Sequence, residues 1–155
     1  MFAFNYDLRL ILVRPNPMRI GIGMILLLAA SAELPAADWV RVTRSPRFIM
    51  EVDAASLRSR GQYTEAQFRF DYQSSQQDPK TGARYLSAIV TLLFDCSHKK
   101  YAPFRRLEFS GHQAGGVTTG SIVRPDKEIR FVDSRADTIN AKMLEYVCSH
   151  TTRTK

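Results

Sequence analysis

A chain of 155 residues is one domain by length, and 45% apolar with 24% charged residues is ordinary for a globular protein, which excludes disorder and low complexity. No apolar run reaches the roughly 18 residues of a spanning helix, so an integral membrane helix is excluded. The 22 basic and 15 acidic residues leave a net charge of +7, and two cysteines are too few for a Cys-rich zinc site or a dense disulfide scaffold.

The chain opens on a leader. Arg19 precedes an apolar stretch from Ile20 to Ala30, and Ala30-Ser31-Ala32 gives the small-x-small pattern that signal peptidase cuts after. As a helix that stretch covers only about 16 Å, against about 30 Å of hydrocarbon core. Residues 1–32 therefore read as a leader, with Met18 as an alternative start. Removing them takes away Arg9, Arg14, Arg19 and Asp7, which leaves 19 basic and 14 acidic residues, a net of +5. The expected compartment is periplasmic or extracellular. Lipid anchoring is not expected, because no cysteine stands near the cleavage site. Outside the cytoplasm a basic surface serves solubility or meets acidic glycans, headgroups or proteins rather than nucleic acid.

The mature chain then alternates with period two. Trp39–Arg44 and Phe48–Asp53 read as strands, with Ser45-Pro46 as the turn between them. Ala54–Gly61 reads as a polar turn. Ala66, Phe68, Phe70 and Tyr72 share one face of the next strand, and Glu65, Gln67, Arg69 and Asp71 share the other. Gln73–Gly82 reads as a polar loop. Arg84–Cys96 is apolar on both faces and reads as a central strand. Tyr101–Phe109 is another strand, Gly111–Gly116 a wide turn, Val117–Val123 a strand of small residues, and Ile129–Val132 a brief extended piece. From Ser134 the pattern changes. Ile139, Met143, Tyr146 and Val147 form a helical stripe, with Ser134 or Asp137 as the expected cap. The expected fold is α+β: a single antiparallel sheet of about six strands with a C-terminal helix on one face, over residues 38–148, followed by a basic tail at 149–155.

An exported chain with two cysteines is expected to pair them, Cys96 with Cys148, which ties helix to sheet. The sequence carries no HExxH, GxSxG, GxxxxGK or CxxCH pattern. No metal site and no cofactor are expected. The one clustered feature is basic: His98, Lys99, Lys100, Tyr101, Arg105 and Arg106 form the candidate binding segment.

In order along the chain, several marks resemble the surface-adhesin protein E family of Gram-negative bacteria. They are Trp39 at the start of the domain, Tyr85-Leu86-Ser87, Asp95-Cys96, Lys99-Lys100-Tyr101, Ser110-Gly111, Gly116-Val117, Pro125-Asp126 and the terminal Val147-Cys148. The resemblance implies one antiparallel sheet with a disulfide-tied C-terminal helix. It also implies a homodimer and binding of host matrix or serum proteins. The leading reading is thus a non-catalytic exported binding module for a host matrix or envelope protein, with side chains such as Tyr63 and Tyr85 exposed on the sheet. A second is a periplasmic binder of heme or another apolar molecule, reached through His98 and Tyr101. An enzyme would require at least two of Asp95, His98, Glu108 and His112 to converge in one cleft.

Overall fold

The computed structural model describes residues 36–151. The expected leader and the last four residues of the expected basic tail lie outside the described residues. Eight strands form one sheet: β1 (Trp39–Arg44), β2 (Phe48–Asp53), β3 (Arg58–Arg60), β4 (Tyr63–Gln77), β5 (Arg84–Asp95), β6 (Lys100–Phe109), β7 (Thr118–Val123) and β8 (Val132–Asp133), closed by helix α1 (Ile139–Thr151). The main order is β1-β2-β4-β5-β6-β7, six strands as expected from the alternation. Two short strands add to it. β3 pairs with the start of β4, and β8 pairs with the start of β6.

The core lies between the sheet and α1. Met50, Val52, Ala66, Phe68, Leu92 and Phe94 share one sheet face, and Met143, Leu144 and Val147 of α1 pack onto it. Each large apolar side chain fully buried there contributes about 1.5–3 kcal/mol. Cys96 and Cys148 are disulfide-bonded, with their Cα atoms 5.5 Å apart. The bridge joins the turn after β5 to the last turn of α1.

Four expectations change. Ala54–Gly61 is not a turn throughout, because Arg58–Arg60 pair with β4 as a strand. Thr138, rather than Ser134 or Asp137, caps α1: its hydroxyl accepts the Ala141 N–H at 3.2 Å. The polar stretch after Tyr72 is not a loop throughout, because β4 continues to Gln77. Gln76 and Gln77 pair with Tyr85 and Arg84 beyond an irregularity in register. Side chains there are mostly exposed, so backbone pairing sustains the strand without any apolar alternation to announce it. The extended piece near residue 130 contracts to Val132–Asp133, preceded by a 3-10 turn at Asp126–Glu128.

A bulge in β6 sets which way its arginines face. Leu92 pairs with Pro103 while Thr91 pairs with Arg105, so Phe104 is the extra residue. An added residue reverses the alternation beyond it. Arg106 and Glu108 consequently fall on the helix side of the sheet, opposite Val90 and Ala88, and Arg105 falls on the far side, opposite Thr91.

Candidate functional site

The face of the sheet away from α1 is polar along β4, where Glu65, Gln67, Arg69 and Asp71 alternate outward. Both ends of this face are covered. At one end the turn after β6 folds back onto β4 and β5. Asp71 accepts the Gln113 N–H at 2.9 Å, with His112 Nδ1 at 3.0 Å from the same oxygen. Ser87, fully buried, donates to the Gly111 carbonyl at 2.6 Å and accepts the Ala114 N–H at 2.9 Å. These bonds hold Gln113 and Ala114 at positive φ, a conformation that costs a non-glycine residue about 1–2 kcal/mol. At the other end, the Phe131 ring packs at a tilt against Tyr63, centroids 4.5 Å apart, and Ile129 and Phe131 share a hollow with Leu93.

Between these covers lies an open trough of about 430 Å³. Arg58, Arg60 and Arg105 line it, with Glu65, Gln67 and Thr91 on its floor. Glu65 is 5% exposed and ion-pairs with Arg58 and, at 3.7 Å, with Arg60. A buried carboxylate under two guanidinium groups sets their positions before any partner arrives. Arg60 is held further by Asp126 at 2.7 Å and by the Phe104 ring, 4.9 Å from its guanidinium carbon. Arg105 has no ion-pair partner among the described residues, and its side chain is exposed. Three guanidinium groups against buried Glu65 and exposed Asp126 leave the trough with an excess of positive charge, and arginine presents it as a planar fork of donors suited to carboxylates. Nearer β1, Arg69 ion-pairs with Glu51 and packs its guanidinium on Trp39 at 4.4 Å, extending the charged face.

A second concavity of about 350 Å³ lies on the helix side, between β7 and the β4–β5 hairpin. Val90, Pro103 and Ile122 give it apolar walls, and Lys80 and Arg124 line it too. Within it Arg106 donates to Glu108 Oε1 and to the Tyr85 hydroxyl, both at 2.8 Å. Burial pushes the neighbouring Tyr72 hydroxyl up from its usual value.

The six residues of the basic segment thus occupy five places. His98 and Lys99 sit in the turn after β5, where His98 Nδ1 lies 2.8 Å from Asp95. Lys100 reaches Asp133 at 3.7 Å. Tyr101 turns toward α1 and accepts from the Asn140 side-chain amide. Arg105 joins the trough and also borders the second concavity, which Arg106 enters. The bulge at Phe104 is the reason that the adjacent arginines separate. Arg58 and Arg60, which complete the trough, were not singled out in the sequence; nothing in their own segment shows that β3 lies beside β4. Tyr85, expected on the surface, is 8% exposed and packs against Tyr72. Asp95 and His98 meet in an exposed turn, His112 binds Asp71, and Glu108 binds Arg106. These four residues therefore sit in three separate places rather than one cleft, and His98 and Tyr101, the pair considered for heme, have separate partners.

The family model for surface-adhesin protein E matches residues 39–149. Among solved structures, Haemophilus influenzae protein E has the same fold at 11% sequence identity. One structure of it gives a TM-score of 0.55 and covers 79% of this chain and 95% of that one. Crystal form II gives 0.54, covering 76% and 94%. Protein E from the non-typeable organism gives 0.55, covering 82% and 85%. No curated protein sequence matches the chain. The chain belongs to the surface-adhesin protein E family, and it carries that family's sheet and C-terminal helix.

Proposed function

From membership of the surface-adhesin protein E family, we propose that this chain is an exported, non-catalytic binding module that holds a protein of the host matrix or the cell envelope in its arginine trough. The observation that carries the proposal is the arrangement of Arg58, Arg60 and Arg105 over buried Glu65. Two of the three guanidinium groups are pre-positioned, so little side-chain entropy is lost when a carboxylate-bearing surface docks. The third is free to pair. Family membership supports an adhesin-type module, and the leader at residues 1–32 supports export. The mature net charge of +5 favours approach of acidic partners and makes association sensitive to salt.

The test has two parts. Full-length protein is expressed in a Gram-negative host, and intact cells are exposed to protease. Purified mature protein is then titrated over immobilised matrix, serum and envelope proteins. The expected result is removal of residues 1–32 and saturable binding to at least one acidic protein. Retention in the cytoplasm, or no saturable binding across the panel, would overturn the proposal.

A further inference from the structure

The concavity on the helix side joins apolar walls to free cations, a combination that the polar trough lacks. Tyr85, Val90, Pro103 and Ile122 present the apolar surface. The Tyr85 ring is held by the Tyr72 ring, 5.7 Å away, and by the bond from Arg106 to its hydroxyl. These walls are therefore shaped before anything binds.

The charged residues of the concavity are sorted by exposure. Its two acids are buried, Glu108 at 3% and Asp78 at 9% exposed. Glu108 takes Arg106 at 2.8 Å, and its other oxygen lies against Gly120. Asp78 accepts the Lys80 and Thr81 N–H groups, both at 2.8 Å, which fixes the turn between β4 and β5 and holds the Asp78 carboxyl below its usual value. Lys80 and Arg124, by contrast, are exposed, and neither has an ion-pair partner among the described residues. Arg124 is also positioned: its guanidinium donates to the Pro103 carbonyl at 3.0 Å, and its backbone N–H donates to the Phe104 carbonyl at 2.8 Å. The remaining donors of its fork are left for an anion. Apolar walls, two unpaired cations and two acids already occupied select a ligand that is apolar in body and negative at one end. The volume of about 350 Å³ sets its size at about a dozen non-hydrogen atoms, at about 30 Å³ each.

We infer that this concavity is a small-molecule site for an apolar monocarboxylate of that size. Lys80 and Arg124 take the carboxylate, and Tyr85, Val90, Pro103 and Ile122 take the apolar body. The site goes beyond the trough, since Arg58 and Arg60 have no part in it.

The probe is 2-naphthoate, titrated into the ¹⁵N-labelled mature chain with amide shifts read residue by residue. The expected result is saturable binding at one site by millimolar acid, with shifts centred on Lys80, Arg106, Ile122 and Arg124 and none at Arg58 or Arg60. The neutral amide of the same acid is expected to bind about tenfold more weakly, the size of one lost charge-assisted hydrogen bond, and acetate is expected not to saturate. Lys80→Gln with Arg124→Gln changes exposed side chains, so it is expected to keep the thermal midpoint. It is expected to bring naphthoate down to the affinity of the amide and to leave the amide itself unchanged. Arg58→Gln with Arg60→Gln is expected to leave naphthoate binding as it was. No saturation at millimolar acid, equal affinity for acid and amide, or shifts centred on Arg58 and Arg60 would overturn the inference. So would tighter binding of a serine–glycine hexapeptide ending in phenylalanine, because the chain terminus of a partner protein would then be the occupant.

Discussion

Replacing both cysteines, as Cys96→Ser with Cys148→Ser, tests how α1 is held. The bridge closes a loop with a sequence separation of 52. The chain-entropy relation for a loop of that length gives a loss of about 4 kcal/mol when the cross-link is removed. Substitution itself adds little, because Cys96 is exposed and Cys148 half-buried, so serine leaves no sealed void. Against a domain stability of about 5–15 kcal/mol, that is a large share. For a domain of this size it corresponds to a fall of about 15 °C in thermal midpoint. The assay is urea unfolding of the protein and the double variant, followed by far-ultraviolet circular dichroism. The helical signal is expected to weaken as well, because α1 buries just Met143, Leu144 and Val147 against the sheet, with Ile139, Tyr146 and Cys148 half-buried beside them. A loss below about 1 kcal/mol with the helical signal intact would refute the reasoning, because packing alone would then hold α1 in place.

Two further predictions follow from single side chains. A Cβ on Gly120 would stand 2.5 Å from Glu108 Oε2, so Gly120→Ala is expected to displace that carboxylate and cost about 1–3 kcal/mol in urea unfolding. Adding Glu108→Ala is expected to recover part of the loss, and strictly additive costs would contradict the contact. Asp95 accepts hydrogen bonds from the Ser97 hydroxyl and then from His98, which lowers its carboxyl from 3.8 to about 2. A depressed carboxyl contributes stability that is fully present above its unfolded value and is lost as pH falls toward about 2. Carboxyl carbon resonances should place the Asp95 midpoint near 2 and move it upward in Ser97→Ala; an unmoved midpoint would contradict that cause.

The parts of the fold that were legible in the sequence are those with a buried face. β2, the first half of β4, and β5 announce themselves through apolar alternation or an apolar run, because each packs against α1 or lies centrally. The stripe from Ile139 to Val147 marks the helix for the same reason. β3 and the far end of β4 have little buried surface, so no pattern marks them. The site was less legible. Arg105 and Arg106 look like one basic pair along the chain. The extra residue at Phe104 sends one to the trough and the other to the concavity, and a bulge of that kind is set by pairing with β5 rather than by local composition. Arg58 and Arg60 reach the trough only because β3 docks beside β4, a contact made by tertiary structure.

The most direct measurement of the central claim compares binding of the mature protein with that of Arg58→Gln, Arg60→Gln, Arg105→Gln at low and physiological salt, on the matrix or envelope protein that it holds best. The triple variant is expected to lose at least tenfold in affinity and to show a shallower salt dependence, with the thermal midpoint kept within a few degrees. Equal affinity and equal salt dependence in the two proteins would contradict it and move the partner off the trough.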